Sequence, residues 1–87
     1  MKNIIVCAAC QHEEGSIVLG ARHFDDRMRE QIRRTALDWT MAEQGFIDQF
    51  GNFYDRKEAM EIVKRNSQPF NIKRNGGDEF LFSEGLY

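Results

Sequence analysis

The stretch SIVLGARHFDDRMREQIRR, residues 16–34, opens as a strand and closes as a helix, and that change of period decides the fold class. Ile17 to Arg22 carries the β-branched and apolar residues of an extended segment. Further on, Met28, Ile32, Ala36 and Trp39 recur at i, i+4, i+8 and i+11, one face of a helix. Asp25 or Asp26 is placed to cap that helix by accepting N–H groups that its first turn leaves free, and the helix is expected to run to about Trp39. At the junction sits Arg22-His23-Phe24-Asp25-Asp26-Arg27, more ionisable chemistry than a corner requires.

Upstream, Asn3 to Cys10 is almost wholly apolar, as expected of a strand covered on both faces. Glu13-Glu14-Gly15-Ser16 reads as the turn that folds it back onto the residue-17 strand. Gly20 in the return strand permits a bulge or a close approach by another backbone. Downstream, a short strand after Gly45 puts Phe46, Asp48 and Phe50 on one side, and Gly51 turns it. Asp55 followed by Glu58 is a capping box, so a second helix runs from Arg56 to about Arg65 and is stopped by Ser67-Gln68-Pro69. Phe70-Asn71-Ile72 reads as a short strand, Asn75-Gly76-Gly77-Asp78 as a turn, and the closing LFSEGLY as a segment that docks on its own domain or a neighbouring subunit.

The expected architecture is α+β and a single domain, residues 1–87. It combines an N-terminal antiparallel hairpin, two amphipathic helices and a short central strand. A chain this short buries only ~60–65% of its extended surface, so it is expected to oligomerise. A net charge of −2 argues against binding a nucleic-acid polymer. Yet eight of the twelve basic residues are Arg, and five of these lie between Arg22 and Arg34. Arginine suits planar, bidentate contact with phosphate or carboxylate, so a small anionic ligand fits this distribution better. No run approaches the ~18 apolar residues of a membrane span, and the first apolar run ends too soon for a signal peptide; the cytoplasm is the expected location.

Cys7 and Cys10, three apart in a strand, face opposite sides, which favours buried free thiols over a metal or redox pair. Arg22, His23 and Asp25 are the residue types of an acid–base cluster, but Asp25 is also the helix cap, and no nucleophile elbow, P-loop or metal-ligand spacing accompanies them. The better reading is an anion site at a helix start, either among Arg22, Arg27 and Arg29 or at Asp55-Arg56-Lys57 beside Phe53. Phe24 and Phe53 are the aromatics best placed to sandwich a base.

Taken together, the apolar first strand, GARHFDDRM, EQGFIDQFGNFYDRKEA and the final LFSEGLY resemble the phage Thoeris anti-defence sponges. The resemblance implies a non-enzymatic protein that sequesters cyclic nucleotide immune signals in the infected host's cytoplasm. These signals include cyclic ADP-ribose isomers and the cyclic oligonucleotides of CBASS-type defences. It also implies a dimer or hexamer with pockets at subunit boundaries, no cofactor, no metal and no catalytic residue. Arg22 is the position carried over first, with Arg56 and Arg74 next, and His23, Phe46 and Phe53 as contacts for base or ribose. The Asn75-Gly76-Gly77 stretch departs from the family pattern and puts a C-terminal pocket in question. A phage inhibitor that binds a host protein directly is the alternative, and a phosphodiesterase using His23 is a further one.

Overall fold

The computed structural model describes residues 2–86. β1 (Ile5–Gln11) and β2 (Ile17–Gly20) form the expected hairpin, closed at Gly15 with φ +104°. Helix α1 (Asp26–Thr35) follows, then β3 (Glu43–Asp48), β4 (Phe53–Asp55) and α2 (Arg56–Arg65). Two single-turn helices, α3 (Ile72–Asn75) and α4 (Ser83–Leu86), end the described chain. The strands form one antiparallel sheet in the order β2-β1-β3-β4, so the fold is α+β with β1 and β3 inside the sheet.

Register explains the core. Cys10 lies opposite Val18, Ala8 opposite Phe46, and Phe46 opposite Tyr54, so these side chains share one face. Met28 of α1 and Ala59, Met60, Ile62 and Val63 of α2 pack with that face, and Trp39 and Leu81 close its margins. A register shift between Ile5 and Cys7 brings Ile5 into the same cluster, where strict alternation would have turned it away. Ala8, Ala9 and Cys10 are buried in succession, as a strand covered on both faces requires.

Side chains, rather than further strands, meet much of the remaining backbone. Gln31 of α1 accepts from the Leu19 N–H at 2.8 Å and donates to the Leu19 carbonyl at 2.6 Å, along the outer strand β2. Gln68 makes the same pair with Ile5, at 2.8 Å each way. Gln49 accepts from the Ile4 N–H and donates to the Lys2 carbonyl. Each primary amide sets an N–H donor beside a carbonyl acceptor, as a neighbouring strand would.

Four expectations are corrected. α1 stops at Thr35, because Ala36 turns left-handed at φ 57°; Trp39 reaches the core from the following loop, its indole N–H donating to the Thr35 hydroxyl at 2.8 Å. Residues 53–55, where the expected architecture has no strand, form a fourth one. Phe50 does not share a face with Phe46 and Asp48. It sits exposed in the turn after β3, because the Asp48 carboxylate gathers the N–H groups of Phe50 and Asn52 at 2.9 Å each. The residues around Asn71 form no strand; its side chain accepts the Arg74 N–H and starts α3, the local alternative that Asn offers a backbone. The C-terminal segment does dock on its own domain, through Asn71 N–H to the Gly85 carbonyl, Leu81 N–H to the Arg56 carbonyl, and fully buried Leu81. Tyr87, the last residue of that segment, lies outside the described residues. No helix among the described residues is long and apolar enough to cross a membrane.

Asp48 is almost fully buried and also accepts from the Asn52 amide and the Tyr54 hydroxyl, at 3.1 and 3.0 Å. Burial alone would raise its pKa, but the bonds from Asn52, Tyr54 and Phe50 outweigh it and hold the carboxyl at about 2, against an ordinary 3.8. A depressed carboxylate stabilises the fold fully above its unfolded value and ceases to do so as pH falls through the folded one. Asp48→Asn is expected to lose about 1–3 kcal/mol in urea unfolding at neutral pH, by setting an amide NH₂ against donors. The decline in wild-type stability between pH 3.8 and about 2 should be shallower in the variant.

Candidate functional site

The capping box of α2 forms as read: Asp55 accepts the Glu58 N–H at 2.8 Å and Glu58 accepts the Asp55 N–H at 3.1 Å. This fixes the helix start and aims its first side chain, Arg56, back across the sheet toward the C-terminal segment. The Arg56 guanidinium donates to the Leu81 carbonyl at 3.1 Å and to Gln44 Oε1 at 2.7 Å. It also lies 4.6 Å from the centre of the Phe82 ring and 6.0 Å from that of Phe46. The group is half-buried, and burial lowers its pKa, yet an arginine stays charged at any physiological pH. Both acceptors are neutral, and among the described residues no carboxylate closes an ion pair with it. Glu84 acts on it only through space.

Beside Arg56, a groove of about 360 Å³ is lined by Gln44, Asp55, Arg56, Lys57 and Phe80. The Asp55 carboxylate is engaged in capping, so the groove's available charge is that of Arg56 and Lys57. Phe80 and Phe82 remain partly exposed at its edge.

His23 joins the same neighbourhood from the end of β2. Its Nε2–H donates to the Gly45 carbonyl at 2.8 Å, and its ring meets Phe46 edge-on at 5.1 Å. Burial and then the Arg56 charge push its pKa below 6.5, against partial support from the Gly45 and Ala9 backbone and from Glu84. The shift favours the neutral form of His23. The stability this contributes is complete above 6.5 and is lost as pH falls toward the depressed folded value.

Of the six residues singled out in the sequence, the structure brings three together: His23, Phe46 and Arg56. Phe46 is fully buried, so it backs the site and offers no open face to a base, contrary to expectation. Arg22 lies one residue away from His23, half-buried, with its N–H donating to Asp25. Phe53 packs close over Gly45 on β4; a Cβ at Gly45 would collide with its ring and with the Tyr54 carbonyl. Arg74 is exposed in α3, and among the described residues no hydrogen bond or ion pair joins its guanidinium to the others. Gln44 and Phe82 belong to the site and were not singled out; both meet Arg56 only through the tertiary fold, and no local spacing announces them.

The α1 start is less open to an anion than its arginines suggest. Asp25 accepts from Met28 N–H at 2.9 Å and Arg22 N–H at 3.2 Å, so its carboxylate fills that position. These bonds, led by that from Met28, lower its pKa. Gly20 makes room for it, since a Cβ there would overlap the carboxylate. Cys7 and Cys10 are free thiols on opposite faces of β1, and burial pushes Cys10 up to about 11. No group of His, Cys, Asp or Glu among the described residues is arranged to hold a metal ion.

Removing the Arg56 charge should move His23 upward. In folded Arg56→Met, the His23 titration followed by imidazole NMR is expected to shift toward 6.5, and an unchanged midpoint would show that burial alone sets it.

The family model described as Phage T4 y16D protein matches residues 4–87, nearly the whole chain, and the chain belongs to that family of phage proteins. No curated protein and no solved structure matches it.

Proposed function

We propose that this member of the Phage T4 y16D protein family binds an anionic cyclic nucleotide made by its host's defences and holds it unchanged. Cyclic ADP-ribose isomers and cyclic oligonucleotides are the candidate ligands. The observation that carries the reading is Arg56: a half-buried guanidinium, bonded among the described residues to the neutral acceptors Leu81 and Gln44, at an aromatic-edged groove. A charge withdrawn from water without a carboxylate partner is a ready partner for phosphate, and charge-assisted bonds of this kind are the strong ones. Lys57 adds a second cation, and the partly exposed Phe82 ring beside Arg56 offers a face for a base. Arg22 adjoins His23 in the chain, with its guanidinium donating to the Ala21 carbonyl.

The groove is at the small end of the ~300–1,000 Å³ range of ligand pockets, too shallow to enclose a cyclic nucleotide by itself. A second copy of the chain then completes the site, which fits a homo-oligomeric sponge. Retention without turnover is supported by the commitments of the titratable groups: His23 Nε2–H is held by Gly45, and Asp25 by the α1 cap. The exposed aromatics Phe50, Phe80 and Phe82 favour, as a second reading, direct binding to a host protein.

Native mass spectrometry of the purified chain with a panel of cyclic nucleotides tests the proposal. Whole-ligand mass gains, and intact ligand recovered after denaturation, are expected; shortened products would assign turnover, and no ligand uptake would send the search to host proteins. Lys57→Ala and Arg22→Ala should each weaken binding more than tenfold, about 1.4 kcal/mol, with the fold retained. Unchanged affinity in either folded variant removes that residue from the site.

A further inference from the structure

A cavity of about 620 Å³, with Arg56 not among its lining, lies between α1 and the loop that follows it. Phe24, Ile32, Leu37 and Trp39 wall it, and Arg29 and Arg33 stand on its rim. Asp38 also borders it, with its carboxylate turned to the Thr40 N–H and hydroxyl at 3.0 and 2.6 Å. Phe24 holds φ 58°, a conformation uncommon for a bulky residue, which marks this corner as constrained.

Residues 76–80, which do not line it, present Phe80 as an exposed apolar side chain, preceded by Asp78 and Glu79. The loop is set before any encounter: the buried Asn75 amide donates to the Gly77 and Phe80 carbonyls, both at 2.8 Å. Preordering of this kind lowers the cost of docking. Phe80 does not line the cavity of its own chain. α1 packs on β2 and Phe80 sits beside Asp55 at the end of β4, and these are opposite edges of the sheet, about 14 Å apart at ~4.8 Å per strand.

The charges are complementary. Among the described residues, Arg29 and Glu79 make no ion pair within the chain, whereas Arg33 pairs with Glu30 and Asp78 with Lys64. We propose that the Phe80 loop of one copy seats in the α1 cavity of the next, with Glu79 facing Arg29, so that the chain assembles head to tail. This contact is heterologous: each copy gives a knob and offers a cavity, and the series closes into a ring if the rotation per step allows. It also sets a neighbouring chain beside the Arg56 groove, which Phe80 borders. The inference deepens the subunit-boundary part of the proposed function and requires no ligand.

Sedimentation velocity of the full chain without nucleotide, across a hundredfold concentration range, tests it. The wild type should exceed monomer mass, while Phe80→Asp and Leu37→Arg, each with unchanged circular dichroism, should be monomeric. A one-to-one mixture of the two retains one good knob and one good cavity, and should form a dimer and nothing larger. If Leu37→Arg does not fold, Arg29→Glu replaces it, with recovery of assembly expected on adding Glu79→Arg. A wild type that is monomeric throughout overturns the proposal and leaves the cavity to a partner other than this chain. A wild-type assembly that survives Phe80→Asp overturns it too. Because nucleotide is absent, either result stands apart from whether the Arg56 groove binds one.

Discussion

Arg56 is the point at which separate parts of the chain are tied together. Its backbone carbonyl receives the Leu81 N–H, its guanidinium returns a bond to the Leu81 carbonyl, and a second guanidinium nitrogen reaches Gln44 at the start of β3. One residue thus fastens the C-terminal segment to the helix and the sheet, and Phe82 lies under the charge. That segment has little else that is regular to hold it: α3 and α4 are single turns. The same placement takes the charge half out of water and gives it neutral company. The proposed anion site therefore rests on the same arrangement that fastens the segment, and after burial the Arg56 charge helps depress His23.

Elsewhere the chain organises its loops with buried polar side chains that are fully engaged. Asp48 gathers the turn between β3 and β4, and Asn75 gathers the turn after α3, with its carbonyl accepting the Phe82 N–H at 2.6 Å. Gly85 is part of that fit, because a Cβ there would overlap the Asn75 amide. Among the described residues no buried side-chain nitrogen or oxygen lacks a partner. A small core does not have the apolar area to hold long loops by packing alone. Fixed polar centres do that work here, and each satisfied group would be costly to leave bare.

How much of this was legible in the sequence depended on whether the cause was local. The hairpin and the α2 capping box rest on residues a few positions apart, and both form as read. The end of α1 was misjudged because Trp39 falls on the correct helical face by spacing. It reaches the core along another path, and only the left-handed Ala36 reveals the break. β4 has three residues and too little pattern to register. Asn71 lies between apolar neighbours that suggest a strand, but no neighbouring strand is there to pair with it. In the candidate site, Arg56 and His23 were visible as unusual residues at element ends. Gln44 and Phe82 were not, since their roles exist only once residues 44, 56 and 82 have been brought together.

The glutamine clasps have a consequence for comparing this chain with others of its family. Only a primary amide on a side chain of that reach can give one hydrogen to a strand's carbonyl and take one from its N–H together; glutamate lacks the donor, lysine lacks the acceptor, and asparagine is a methylene shorter. Positions 31 and 68 are therefore held to one residue type by backbone geometry, whatever the protein binds. Identity at those two places across relatives would report kinship of architecture, while differences around position 56, in side chains the backbone leaves free to vary, would bear on the proposed site.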